Sequence, residues 1–333
     1  LPDELELQLE KILSENSVSA EIPIAEEIGR AYRVEDAPGR YIEYLKQSFP
    51  QHLSLEGIKI VIDCANGAAY KVGPIVFEEL GAEVISLGVT PNGTNINDHC
   101  GALYPKNLCE KVREHQAHIG IALDGDADRV VLCDEKGQVL DGDAILAISA
   151  QSMLERGLLK KNTVVGTVMS NFGLERYLLE NHLRLVRTQV GDRYIVETMR
   201  KEGYNLGGEP SGHLIYLDHA TTGDGMLAAL QVLALMLIQE KPLSEMKKMM
   251  RIVPQHLENV RVQKREELST LTNLQKRIQE CEKRLGTHGR LLLRYSGTEP
   301  LLRIMVECEN ESLMKQVVSD LKTEVIASLG EAS

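Results

Sequence analysis

Short apolar runs alternate with longer segments of helical period along the middle of this chain, and no other feature narrows the fold as far. Residues 58–62 (Ile-Lys-Ile-Val-Ile) predict a strand, Asp63-Cys64-Ala65-Asn66-Gly67 a turn, about 73–80 a helix and 83–87 a second strand. Residues 106–115 predict a helix, 119–123 and 130–133 strands, and 142–158 a helix closing this unit. The pattern then restarts: strand 163–168, helix 171–181, strand 183–187, helix 192–201 with Asp192 as its cap, and an apolar helix at 225–239. Strands separated by helical crossovers pair in parallel. The strand-turn-helix-strand order near 58–87 recurs near 163–187, so two copies of one domain type are expected.

Both ends differ from this middle. Residues 1–13 have helical period, with Asp3 placed to cap; 14–40 read as loop, and 41–49 as a helix. After Pro242 come strands at 255–262, 290–294 and 301–307, a charged helix at 266–285 and a last helix at 313–329. The expected class is therefore α/β: repeated α/β domains with mixed or parallel sheets, plus a C-terminal α+β domain. The expected division is 1–50, 51–148, 149–245 and 250–333.

Composition sets the remaining bounds. At 333 residues the chain is too long for one ordinary core. With 4% aromatics and no Trp, core volume must come from Leu, Ile and Val. Net charge is 37 − 49 = −12, which argues against a nucleic-acid surface. Cysteines 64, 100, 109, 133, 281 and 308 have neither CxxC nor zinc spacing and read as reduced core thiols of a cytoplasmic protein. No apolar run reaches the roughly 20 residues that span a bilayer, and no signal peptide is visible, so no membrane partner is expected. The chain opens Leu1-Pro2-Asp3-Glu4 without an initiator Met, which hints at an upstream part.

The strongest chemical signal is Asp124-Gly125-Asp126-Ala127-Asp128-Arg129, where three carboxylates alternate directly after an apolar strand. Three hard oxygen donors in one tight turn suit Mg²⁺ or Ca²⁺. A solvated acidic turn is the plain alternative, but like charges this close repel unless a cation lies between them. A calcium EF-hand finds acidic residues at 124, 126 and 128 and Glu135 in place, yet its sixth position needs Gly and Arg129 stands there. Arg129 reads instead as a phosphate ligand beside a metal, since its planar fork suits bidentate contact.

Three weaker segments follow. Arg294-Tyr295-Ser296-Gly297-Thr298-Glu299-Pro300, between two apolar strands, offers a guanidinium, two hydroxyls and a loosened backbone to a phosphate; an ordinary hairpin would use Ser-Gly as well. In Gly207-Gly208-Glu209-Pro210-Ser211-Gly212-His213, Glu209 and Ser211 can grip vicinal sugar hydroxyls and His213 can carry a proton near neutral pH, against the alternative of a glycine turn with a structural histidine. Gln189-Val190-Gly191-Asp192-Arg193-Tyr194 leads into a helix N-terminus, where N–H groups favour anions, though Asp192 is also the obvious cap. Thr221-Thr222-Gly223-Asp224-Gly225 opens the apolar helix, with capping as its simplest role.

Taken together these segments resemble the α-D-phosphohexomutase family over essentially the whole chain. That family orders a serine loop, a metal loop, a sugar loop and a phosphate loop, one per domain. Residues 124–129, 208–213 and 294–300 look like the last three, in order. Gly297, where hexose mutases often have Asn, together with Gly39-Arg40-Tyr41-Ile42-Glu43, Asp63-Cys64-Ala65-Asn66-Gly67-Ala68 and Asn92-Gly93-Thr94-Asn95-Ile96-Asn97, resembles the glucosamine-phosphate branch. Pro210 departs from the Gln or Ser common at its place. No Ser-His-Asn string of the serine loop occurs.

The resemblance implies interconversion of glucosamine 6-phosphate and glucosamine 1-phosphate, through a phosphoserine and a 1,6-bisphosphate that also serves as activator. The product feeds UDP-N-acetylglucosamine and cell-wall synthesis. Mannose or glucose phosphates are the alternative substrates. Asp124, Asp126 and Asp128 would hold Mg²⁺ with Arg129 assisting. Gly191, Asp192 and Arg193 would bind substrate, Glu209 and Ser211 the sugar hydroxyls, Arg294, Ser296, Gly297 and Thr298 the non-reacting phosphate, and His213 would shuttle a proton. It further implies a monomer or homodimer, a moving C-terminal domain, and a serine loop upstream of residue 1, so that the isolated chain would bind phosphosugar and Mg²⁺ without turnover.

Overall fold

A computed structural model describes residues 3–15, 28–296 and 299–330. The chain divides into two units, 1–41 and 42–333. In the first, helix α1 (Asp3–Ser14) is exposed wherever its side chains are described. The expected cap falls on Asp3, whose side chain lies outside the described residues, as do residues 16–27 of the expected loop. Helix α2 (Ala37–Ser48) starts earlier than the period predicts. Pro38 is the reason: in a first turn, proline gives up an N–H that has no helical partner, so it opens the helix instead of delaying it.

The second unit begins with β1 (Lys59–Asp63), α3 (Val72–Glu79), β2 (Glu83–Leu87), α4 (Lys106–Glu114), β3 (Ile119–Leu123), β4 (Val130–Asp134), β5 (Val139–Leu140) and α5 (Gly142–Glu155). The strands form one sheet in the order β2-β1-β3-β4-β5, the first three parallel and the last two antiparallel. β3 and β4 are buried on every residue, which is why they read as continuous apolar runs rather than alternations.

The expected repeat is present. β6 (Thr163–Thr167), α6 (Phe172–Glu180), β7 (Arg184–Thr188), α7 (Asp192–Glu202), β8 (Leu206–Gly208), β9 (Leu214–Tyr216) and α8 (Gly225–Gln239) build a sheet in the order β7-β6-β8-β9. Three parallel strands again end in an antiparallel partner. In each sheet an antiparallel hairpin, β3–β4 in one and β8–β9 in the other, carries a candidate loop.

The two sheets share their helices. α5 follows the first sheet yet packs on β8 and α6 of the second; α8 follows the second yet packs on β3 and β4 of the first, and the two helices touch. Both are apolar on nearly all sides because both are covered on nearly all sides. Helix α5 therefore does not merely close the first unit, as its position in the chain suggests.

Helix α9 (Leu243–Met246) leads to an antiparallel sheet, β10 (Gln255–Arg261), β11 (Gly289–Tyr295) and β12 (Leu301–Cys308), in the order β10-β12-β11. Helices α10 (Thr272–Leu285) and α11 (Glu311–Leu329) cover it through Leu274, Cys281, Val317 and Leu321. Five cysteines are buried and Cys100 half-buried, all free thiols. Among the described residues no single helix is long and apolar enough to cross a membrane.

Candidate functional site

The three aspartates lie in the β3–β4 hairpin. Ala127 holds φ 62 there, a left-handed conformation that L residues seldom adopt, and its N–H bonds back to Asp124 O at 3.2 Å. The turn is that tight because β3 and β4 pair up to Leu123 and Val130. One carboxylate oxygen from each of Asp124, Asp126 and Asp128 lies within 4.8 Å of the other two. Burial, and then the charges of Asp128 and Asp126, push the Asp124 carboxyl up to about 6. Asp128 Oδ1 is buried without a hydrogen-bond partner. Clustered hard oxygens, one unsatisfied and one reluctant to ionise, are a donor set that a divalent cation completes, and they fit Mg²⁺. Arg129 Nε stands 3.9 Å from Asp124 and 3.7 Å from Asp128.

The second candidate loop fills the β8–β9 hairpin and is zipped to the first. Val130 N donates to Gly212 O at 3.0 Å, and Arg129 and His213 form an antiparallel bridge. Gly212, at φ 92, lies so close that a Cβ would stand 2.1 Å from Val130 O. The start of α8 closes on the same place: Gly225 N donates to Ala127 O at 2.9 Å, while Asp224 caps the helix by accepting from Leu227 N.

Several predicted residues take other places than expected. His213 is 3% exposed. Its Nε2 accepts from Gly223 N at 3.1 Å, so the ring proton sits on Nδ1, 3.1 Å from Asp128 Oδ2. Both ring nitrogens therefore have partners inside the protein. Asp192 is not a cap either: the cap position is Gly191 at φ 129, and Asp192 Oδ1 accepts from Arg193 N next door. Glu209 uses Oε1 to accept from Gly191 N at 3.0 Å and Oε2 to accept from Ser211 Oγ at 3.2 Å, which ties three predicted substrate-binding positions together. Arg193 lies 5.1 Å from the Tyr194 ring.

A cavity of about 430 Å³ opens over the aspartates, lined by all three with Arg129, Ser211 and Asn97. Residues 294–296 and 299–300 are absent from its described lining. Arg294, next to last in β11, pairs opposite Arg303. Ser296 is buried; its carbonyl accepts from Arg265 Nη2, and its hydroxyl lies 3.5 Å from Arg303 Nη2. Gly297 and Thr298 lie outside the described residues. Arg265 and Arg303, which add positive charge at this turn, were not singled out by sequence because neither adjoins the motif. Asn97 was visible only as part of a branch-like string.

Family models described as phosphoglucomutase/phosphomannomutase alpha/beta/alpha domain II, alpha/beta/alpha domain III and C-terminal domain match residues 39–137, 141–252 and 257–324. A phosphoglucosamine mutase from Pelobacter propionicus is 58% identical over 307 residues, covering 92% of this chain and 68% of the relative. Among solved structures, a phosphoglucomutase/phosphomannomutase family protein from Burkholderia thailandensis superposes with a TM-score of 0.78 at 20% identity, over 98% of this chain and 71% of that one. N-acetylphosphoglucosamine mutase from Aspergillus fumigatus, solved with GlcNAc-6P and magnesium, gives 0.69 at 22% identity, over 87% and 70%.

Proposed function

The chain belongs to the phosphoglucomutase/phosphomannomutase family of phosphosugar mutases, and on that premise we propose that it serves the interconversion of glucosamine 6-phosphate and glucosamine 1-phosphate. The observation that carries this reading is the zipped pair of hairpins, which sets a three-carboxylate cluster and the Glu209–Ser211 loop at one cavity. The name of the Pelobacter propionicus relative supports the amino sugar. We place domain boundaries near 38, 139 and 254, between the matched family domains; the expected cut at 148 would divide helix α5 (Gly142–Glu155).

Asp124, Asp126 and Asp128 would hold Mg²⁺, which supplies neutralisation of phosphoryl charge when bound. Arg129, at the cavity wall, gives a guanidinium fork to a phosphoryl oxygen. Ser211 presents its hydroxyl to the sugar; Glu209 fixes Ser211 and the Gly191 N–H in place, and Asp192 and Arg193 follow at the start of α7. His213 orients Asp128. Arg294 and Ser296, with Gly297 and Thr298, would grip the non-reacting phosphate, which requires the last domain to swing over the cavity.

In the cycle we propose, a phosphoserine gives its phosphoryl to glucosamine 6-phosphate. The resulting 1,6-bisphosphate turns over, and the serine recovers the phosphoryl from the 6-position. No Ser-His-Asn string occurs in residues 1–333, so a second reading is a phosphosugar-binding chain that turns over only when a phosphoserine is supplied.

Coupled assays on the phosphates of glucosamine, glucose and mannose decide the substrate, and equal rates on glucose 6-phosphate would overturn the amino-sugar assignment. Turnover by the 333-residue chain alone would remove the second reading.

A further inference from the structure

Asp63 takes no part in the chemistry above, yet its carboxylate is fully buried at the end of β1. Each oxygen accepts one backbone N–H: Oδ1 from Ala65 at 2.9 Å, Oδ2 from Gly101 at 2.8 Å. These bonds brace two segments that press on the metal hairpin from different sides.

On the first side, Ala65 and Asn66 both hold positive φ, 52 and 50. Alanine gains nothing in that conformation, so something must hold it there. The turn then delivers Ala68 N to Gly125 O at 2.8 Å, and Gly67 passes so close that a Cβ would stand 2.2 Å from that same oxygen. On the second side, a Cβ on Gly101 would stand 2.4 Å from Leu123 O, and Ala102 and Leu103, which follow, line the cavity. Leu123 and Gly125 flank Asp124. Ala65 O also receives Asn97 N at 2.9 Å, which brings the 92–97 loop to the same wall.

We infer that Asp63 is a positioning residue for the aspartate cluster: by bracing the 63–68 turn and the 101–103 turn against Gly125 and Leu123, it sets where Asp124 and Asp126 direct their oxygens. The inference rests on the metal reading proposed above. It gives the 63–68 string a task, and Asn97 N on Ala65 O ties the end of the 92–97 string to the same turn.

The experiment is Mn²⁺ titration of the protein, with free Mn²⁺ followed by electron paramagnetic resonance, alongside far-UV circular dichroism. Asp63→Asn puts an NH₂ against one of two N–H donors. The double variant Asp63→Asn/Ala65→Gly removes the same brace while easing the positive φ at residue 65, which glycine adopts without strain. Asp134→Asn is the control, because that carboxylate is equally buried and accepts from Lys136 and Gln138, in a turn at the far end of β4.

Losing support behind metal ligands weakens binding about 10- to 100-fold, and this is the expected result for Asp63→Asn and for Asp63→Asn/Ala65→Gly, with Asp134→Asn binding like the parent. If the first two bind Mn²⁺ as tightly as the control, Asp63 has a structural role only and the inference falls. If Asp63→Asn does not fold, the double variant Asp63→Asn/Ala65→Gly decides. Absence of Mn²⁺ binding by the parent protein overturns the metal reading itself, a failure visible before any variant is compared.

Discussion

His213 Nδ1 lies 3.1 Å from Asp128 Oδ2, while Nε2 of the same ring accepts from Gly223 N. A Cβ on Gly223 would enter the ring, 2.5 Å from its nearest atoms, so the fit of imidazole against backbone depends on that glycine. On the proposal that His213 orients Asp128, the ring acts through that carboxylate. His213→Ala is expected to weaken Mg²⁺ affinity about tenfold or more and to leave the shape of the pH–rate profile unchanged. A proton shuttle would behave the opposite way, with the profile altered and metal affinity intact.

Asp126 is the most exposed of the three aspartates. Asp126→Asn removes a ligand and a like charge together, so the metal-free fold has nothing to lose. Ligand binding to the native state raises the unfolding temperature. Saturating Mg²⁺ is expected to raise the parent's melting temperature and to leave that of the variant nearly unmoved. Equal Mg²⁺-induced shifts in both would show the carboxylate cluster to be misread.

Asp143, in the first turn of α5, is 1% exposed. One oxygen accepts from Asn171 N at 2.6 Å and the other has no partner. Burial pushes its carboxyl up to about 7. The folded protein therefore holds this proton more tightly than the unfolded chain does. The stability it contributes is complete below about 4, the ordinary carboxylate range, and is lost as pH rises through 7. Asp143→Asn stays neutral throughout. Between pH 5 and 8 the parent should lose melting temperature relative to this variant; parallel curves would refute the shift.

Asn171 joins elements distant in sequence with one side chain. Its Oδ1 accepts from Gly173 N and Val253 N, and its Nδ2 donates to Val253 O and to Glu307 Oε1. Glu307, fully buried, also takes Arg290 through Oε2. Asn171→Ala leaves several buried groups without partners, at about 1–3 kcal/mol each where water cannot reach. We expect a loss of about 2–4 kcal/mol in urea unfolding, and a loss under 1 kcal/mol would mean that the connection is carried elsewhere.

Legibility from sequence tracked how local each cause was. Helix α8 could be read from end to end because Asp224 caps it, its apolar run is continuous, and Pro242 follows soon after. The aspartate triplet was equally plain, since three carboxylates in five residues need a reason. Strands β8 and β9 were missed: each is three residues long, and Gly207-Gly208 reads as turn. They exist because β6 offers an edge to β8, and β8 in turn to β9. The cap assigned to Asp192 failed for a related reason. Gly191 takes a φ of 129 that only glycine tolerates well, and its N–H is claimed by Glu209, eighteen residues away.

By itself the sequence determined the alternation of strands and helices, the repeat, the apolar interior of β3 and α8, and which side chains carry charge into the hairpins. Period, capping and composition act over a few residues, so they survive without a partner. Only the tertiary structure decided that α5 and α8 exchange sheets, that His213 meets Asp128, and that Ala68 N meets Gly125 O. Each of those pairings joins residues dozens of positions apart, and backbone approach, burial and hydrogen-bond satisfaction choose such partners only once the chain has closed around them.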